Sequence, residues 1–173
     1  AYTYHTLNAK GCDSMAVLNL SVNNCQSKLL LKIWLEGFDQ DANMMSPALY
    51  NSGISLISNE VDSVDIDLWS PSHLSNSAPD YNYKAVLLSN GLVTTIFPGT
   101  VSGGSYYISV RHRNSMEIWS ANPVSLSDST FYDFTDAVSK TYTEVVSPSV
   151  KNIRTGKYGL FGGDVNQDGT MDV

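Results

Sequence analysis

The sequence predicts an all-β protein built as an antiparallel β-sandwich. Three observations predict it. Ser, Thr, Asn, Val and Tyr are plentiful while Glu, Lys and Ala are sparse, a bias towards extended strands and polar turns. Apolar residues alternate with period 2 in short runs, and turn signals separate the runs at roughly eight- to twelve-residue spacing. Helical periodicity is absent over any useful length.

In chain order, Tyr2–Leu7 and Ala16–Val22 both alternate, with Asn8 to Gly11 as the turn between them. Ala16, Leu18, Leu20 and Val22 would share one face, and Asn23-Asn24 reads as a linker. In Leu29–Glu36 the odd positions Leu29, Leu31, Ile33 and Leu35 are apolar, while the even positions include Lys32, Trp34 and Glu36. That is a half-buried strand. A long loop follows, from Gly37 to Gly53. Val64–Trp69 alternates again, with Val64, Ile66 and Leu68 inward. Further strands are expected over Tyr83–Leu88, Leu92–Phe97, Tyr106–Arg113, Glu117–Ser120 and Thr130–Phe134. Asn90-Gly91 is a hairpin turn signal, Gly103-Gly104 is another turn, and Tyr158–Phe161 adds a short last strand. Seven or eight short strands so spaced suit an Ig-like or prealbumin-like sandwich.

Residues 164–172 read Asp-Val-Asn-Gln-Asp-Gly-Thr-Met-Asp. Oxygen side chains at Asp164, Asn166, Asp168 and Asp172, with Gly169 after the third, match positions 1, 3, 5, 6 and 9 of an EF-hand-type calcium loop. Calcium takes six to eight oxygens, and alternate positions of a curled loop point oxygens inward. Thr170 would supply its backbone carbonyl. Position 12, normally a bidentate carboxylate, would be residue 175, two beyond Val173. The expected organisation is the end of a β-repeat at 1–24, a sandwich at 25–162 and a truncated EF-hand-like calcium loop at 163–173.

Charge narrows the partners. With 17 Asp+Glu against 10 Lys+Arg, the net charge of −7 gives no field to attract phosphate backbones or anionic lipid surfaces. Nucleic acid is therefore not an expected partner. No apolar run approaches the roughly 20 residues of a membrane-spanning helix, so membrane insertion is not expected either. The chain opens in what reads as mid-strand, without a signal peptide, as a piece of a longer precursor would. Cys12 and Cys25 flank an apparent strand, and a bridge between them needs the chain to turn back. A partner upstream or a free buried thiol fits equally, so the cysteines leave the redox compartment open.

Several stretches form a linked set: Leu-Lys-Ile-Trp-Leu-Glu-Gly-Phe at 31–38, Met-Met-Ser-Pro-Ala-Leu-Tyr at 44–50, Tyr-Tyr-Ile-Ser-Val-Arg-His-Arg-Asn at 106–114, Glu-Ile-Trp-Ser at 117–120 and Gly-Asp-Val-Asn-Gln-Asp-Gly at 163–169. Together they resemble a β-sandwich module near the C-termini of large secreted proteins of Bacteroidetes-type bacteria. Such modules are typically followed by a dockerin-like calcium segment, often before a type IX secretion sorting domain. Residues 11–22 resemble the end of an Ig-like repeat of the same adhesin-like proteins. The resemblance implies surface display or adhesion, an extracellular location, and neighbouring β-domains of the same chain as partners, with surface glycans or self-association in a filament beside them.

Other candidate sites follow from the residues. On the alternation above, Trp34 lies opposite the apolar face, and Trp69 shares a side with Asp65 and Asp67. Exposed Trp on a sheet face stacks on sugar rings, which makes both candidate ligand-binding residues. The alternative is cover by a loop, a tail or a neighbouring domain. Tyr106, Ile108, Val110 and His112 alternate inward, which turns Arg111 and Arg113 outward, towards Asp65 and Asp67 if the strands are neighbours. His112 reads as a satisfied core or edge histidine. Asp13-Ser-Met, Asp62-Ser-Val and Asp128-Ser-Thr resemble a short O-glycosylation motif of Bacteroidetes-type secreted proteins, which marks Ser14, Ser63 and Ser129 as candidate attachment sites.

No zinc-type His-Glu-x-x-His, Gly-x-Ser-x-Gly elbow or phosphate-binding Gly-rich loop is present. Asp65 and Asp67 form a carboxylate pair, but any solvated strand offers one. The expected function is a non-catalytic structural or adhesive module of a large secreted surface protein or filament, with calcium rigidifying its C-terminal joint. The runner-up is a carbohydrate-binding module of a secreted multidomain enzyme.

Overall fold

The computed structural model describes residues 2–7, 10–11, 13–19, 26–40, 43–75, 77–142, 149–166 and 168–171. The fold is all-β. In chain order the strands are β1 (Tyr2–Leu7), β2 (Asp13–Leu18), β3 (Gln26–Lys32), β4 (Asp39–Gln40), β5 (Met44–Met45), β6 (Glu60–Trp69), β7 (Tyr81–Leu88), β8 (Leu92–Pro98), β9 (Ser105–His112), β10 (Ser115–Trp119), β11 (Val124–Ser125), β12 (Ser129–Asp133), β13 (Lys151–Arg154) and β14 (Lys157–Gly159). One helical turn, Ala48–Asn51, interrupts the loop between β5 and β6.

The main sheet runs β10-β9-β6-β7-β8-β3-β12, with β11 also on β9. It curls into a sandwich because β7 and β8 stay paired only at Leu87↔Val93, beside their shared turn. The hairpin splays from there and sends its strands into opposite layers. Val64, Ile66, Leu68, Ile108 and Val110 from one layer meet Leu29, Leu31, Val93 and Phe97 from the other in one buried core. Aromatic edges close the splay, with Tyr83 at 4.8 Å and Tyr81 at 6.2 Å from the Phe97 ring centroid. The sheet is mixed: β12 returns parallel to β3, where the other pairings are antiparallel.

The Asn90-Gly91 turn forms as the sequence predicts, and Gly91 adopts φ +86°. A Cβ there would lie 2.8 Å from the carbonyl oxygen of Ile33, so glycine is required both for the backbone angle and for the close approach.

β1 and β2 pair only with each other among the described residues, from Tyr2↔Leu18 to Leu7↔Asp13. β2 is described over Asp13–Leu18, and Leu20, Val22, Cys12 and Cys25 lie outside the described residues.

The C-terminal segment is stitched onto the sandwich. The Leu160 N–H donates to the Trp34 carbonyl at 2.7 Å, and the Glu36 N–H donates to the Leu160 carbonyl at 3.1 Å. On its other side, the Met116 N–H reaches the Phe161 carbonyl at 2.9 Å, and the Gly163 N–H reaches the Asn114 carbonyl at 2.9 Å. The Gly162 N–H donates to Glu36 Oε2 at 3.2 Å.

This seam corrects the outward placement of Trp34. The alternation of β3 stops at Lys32, and Ile33, Trp34 and Leu35 are all buried, Trp34 to 1 % exposure. Trp34 Nε1 donates to Asp39 Oδ1 at 2.7 Å, and the ammonium of Lys157, from β14, sits 3.6 Å from its ring centroid. Trp34 is a core residue covered by the tail and offers no free ring face to a ligand.

Candidate functional site

Asp164 begins where the stitched segment ends. Its carboxylate is 2 % exposed and accepts two loop N–H groups, from Asp168 at 3.1 Å and Gly169 at 3.2 Å. Asn166 Oδ1 also accepts the Asp168 N–H at 3.0 Å, and Asp168 Oδ1 accepts the Thr170 N–H at 2.9 Å and the Thr170 hydroxyl. Gly169 takes φ +83°. Asp164, Asn166 and Asp168 thus each bond the backbone ahead of them, as in the tight turns that short polar side chains favour. Hydrogen bonds from Thr170 and from Asn166 hold the Asp168 carboxyl below the usual carboxylate range.

The donor chemistry of the loop fits a hard cation: two carboxylates, an amide oxygen and the Thr170 carbonyl. Among the described residues Asp164 and Asp168 are joined by no third acidic, His or Cys side chain. Asp172 lies outside the described residues.

A second constellation occupies the outer face of β10-β9-β6-β7. Register places Asp67 opposite Ser109 and Asn82, and Trp119 also opposite Ser109. Alternation along each strand then gathers Asp65, Asp67, Trp69, Tyr107, Arg111, Glu117 and Trp119 on one face. Trp69 and Trp119 pack with centroids 5.3 Å apart and planes tilted by 35°. Trp69 Nε1 donates to Ser109 Oγ at 3.3 Å, so Trp69 is a half-buried support beneath its neighbour.

Asp67, only 1 % exposed, is the polar centre of this face. It accepts Asn82 Nδ2 on Oδ1, and Arg111 on Oδ2 from Nε at 3.1 Å and Nη2 at 2.9 Å. Arg113 instead grips Asp62, and Lys84 pairs with Asp65 at 3.4 Å. Glu117 is an exposed residue of this face. Desolvation, joined by the Asp67 charge, raises its pKa, while Ser109, Arg111 and Trp119 oppose the shift.

Trp119 lines two concavities. One, of about 430 Å³, is bordered by Leu74, Tyr107, Ala121 and Tyr142. The other, of about 400 Å³, is bordered by Arg111, Glu117, Asp164 and Asp168, which brings the C-terminal loop to the end of the same face.

Ser115, His112 and Asp62 also lie in line. Ser115 Oγ is 3.1 Å from His112 Nδ1, and His112 Nε2 is 3.4 Å from Asp62 Oδ2. The order of the ring nitrogens shows a packing role. Nδ1 also accepts the Asn114 N–H at 3.3 Å, which leaves the proton on Nε2, facing Asp62. All three residues are under 5 % exposed. His112 is thus the satisfied core histidine that the alternation predicts, and burial lowers its pKa despite the Asp62 carboxylate. Asp62, bonded by the Ser63 N–H, His112 and Arg113, keeps a lowered pKa against its own desolvation.

The remaining candidates do not converge. Ser14 stands opposite Thr6 in the β1–β2 hairpin. Ser63 lines a shallow concavity with Asp65 and Lys84, and exposed Ser129 opens β12.

Trp119 carries the weakest sequence signal for its role. It ends a short strand 50 residues from Trp69, and only the pairing of β10 with β9 and of β9 with β6 makes them neighbours. No family model matches the chain, and comparison with curated proteins and with solved structures returns no match.

Proposed function

We propose that the chain is a non-catalytic structural module of a large secreted, cell-surface protein, and that calcium in the 164–172 loop rigidifies its C-terminal joint. One observation carries the reading. Asp164, at loop position 1, is buried where the loop leaves a segment bonded on both sides to the sandwich, with Gly163 tied to Asn114. A cation on Asp164, Asn166, Asp168, the Thr170 carbonyl and Asp172 would draw the loop around that fixed point. Force or motion arriving from beyond the loop would then meet a clamped joint. The extracellular, adhesin-like setting rests on the linked motifs and their resemblance to Bacteroidetes-type modules, with neighbouring β-domains of the same chain as its first partners.

The test is calcium titration by calorimetry, with thermal unfolding of the same samples. Calcium at 100 times its dissociation constant should stabilise the fold by about 2.7 kcal/mol. EDTA should reverse the shift, and Asp168→Ala should abolish it. A thermal midpoint indifferent to calcium would remove the proposal.

A further inference from the structure

The outer face around Trp119 has the makings of a ligand site that the structural reading does not use. A merely solvated sheet face would carry scattered Ser, Thr and Lys. This one carries two packed indoles, a tyrosine and an ion pair anchored on a carboxylate that is 1 % exposed. Asp67 engages Arg111 through Nε and Nη2. That anchors the guanidinium while leaving the side chain 39 % exposed, with donors to spare. Glu117, an acceptor, lies on the neighbouring strand, and both line the concavity that Trp119 borders.

We propose that this face binds a neutral saccharide, one pyranose ring resting on Trp119 and its hydroxyls bonding to Arg111 and Glu117. A pyranose has an apolar C–H face and a rim of hydroxyls that both donate and accept. An aromatic surface flanked by an anchored donor and a carboxylate acceptor matches both properties. The two concavities beside Trp119, about 430 and about 400 Å³, each fall in the roughly 300–1,000 Å³ range of small-molecule sites. The first, with Leu74 and Tyr107, would take the next ring of an oligosaccharide. Charge selects the neutral class. Glu117 borders the second concavity and the chain carries −7 overall, which repels uronic or sulfated sugars. The side chains at the centre of the site belong to β9 and β10, so the site stands without the calcium proposal.

The experiment titrates the full chain with neutral gluco-, xylo-, manno- and galacto-configured hexasaccharides, and with oligogalacturonate as the charged control. It reads tryptophan fluorescence and calorimetry, in calcium and again in EDTA. At least one neutral hexasaccharide should bind and shift the fluorescence. Trp119→Ala should weaken binding tenfold or more, Trp119→Phe should recover most of it, and Glu117→Gln should lose about fivefold. If Trp119→Ala fails to fold, Glu117→Gln decides, and unchanged affinity there overturns the site. The proposal is equally overturned if no neutral hexasaccharide binds, if only the charged control binds, or if a folded Trp119→Ala binds as the parent does.

Discussion

Asp67 and Arg111 lock β6 to β9 across the outer face, with Arg111 Nε 3.1 Å and Nη2 2.9 Å from one carboxylate oxygen. Asp67 is 1 % exposed, so removing Arg111 leaves a buried carboxylate with only Asn82 and Ser109. Breaking a fully buried pair costs about 3–5 kcal/mol. Arg111 is 39 % exposed, and solvent screens part of that cost. Arg111→Ala is predicted to lower stability by about 2 kcal/mol in urea unfolding. Lysine at 111 should not restore it, because a point charge cannot reproduce the planar two-nitrogen contact.

Trp34→Ala should cost about 3–5 kcal/mol by the same measurement, as for a large aromatic removed from a core. The buried position, the bond to Asp39 and the Lys157 ammonium over the ring all require it. Saccharide affinity, by contrast, should not depend on Trp34 in any variant that folds, such as Trp34→Phe.

Gly91→Ala tests the splayed hairpin. The added Cβ would meet the Ile33 carbonyl oxygen at 2.8 Å and Trp34 Cε3 at 3.1 Å, at φ +86°. Strain and clash together predict a loss of at least about 2 kcal/mol, read as a lower thermal midpoint. Gly103→Ala, at φ +82° with nothing near its would-be Cβ, should cost distinctly less.

The buried His112 predicts a pH dependence. Its folded pKa lies below the unfolded value of 6.5, chiefly through desolvation. The unfolded chain therefore takes up the proton first as pH falls, and folding stability declines from about pH 6.5 downward. Asp62 works the same way at lower pH. Its folded pKa is lowered from 3.8, so the stability it contributes is lost as pH falls below that value. Urea midpoints measured from pH 7.5 to 5 should fall, and His112→Gln should flatten that decline.

Much of the sandwich was legible because period-2 alternation survives wherever a strand has one wet face. Val64, Ile66 and Leu68 face inward as expected, as do Ile108, Val110 and His112. Alternation failed at Trp34 because a second layer covers that stretch. The segment that covers it, Lys157 to Leu160, lies more than 120 residues downstream, and no local pattern reports it. The parallel return of β12 onto β3 was hidden for the same reason. At the sites, Asp164, Asn166 and Asp168 were readable because their spacing is local. The local pattern points to Trp69 but not to its partner Trp119, since their contact depends on two strand pairings. The outward Arg111 and Arg113 were expected to meet Asp65 and Asp67. Only Arg111–Asp67 forms; Arg113 pairs with Asp62 instead.

The calcium-clamped joint is tested most directly by amide hydrogen exchange at Met116 and Gly163, whose N–H groups bond to Phe161 and Asn114 at the seam. With calcium at 100 times its dissociation constant, stabilisation of about 2.7 kcal/mol should slow exchange at both amides about a hundredfold relative to EDTA. Exchange at the Met116 and Gly163 amides that is the same with and without calcium would contradict the account.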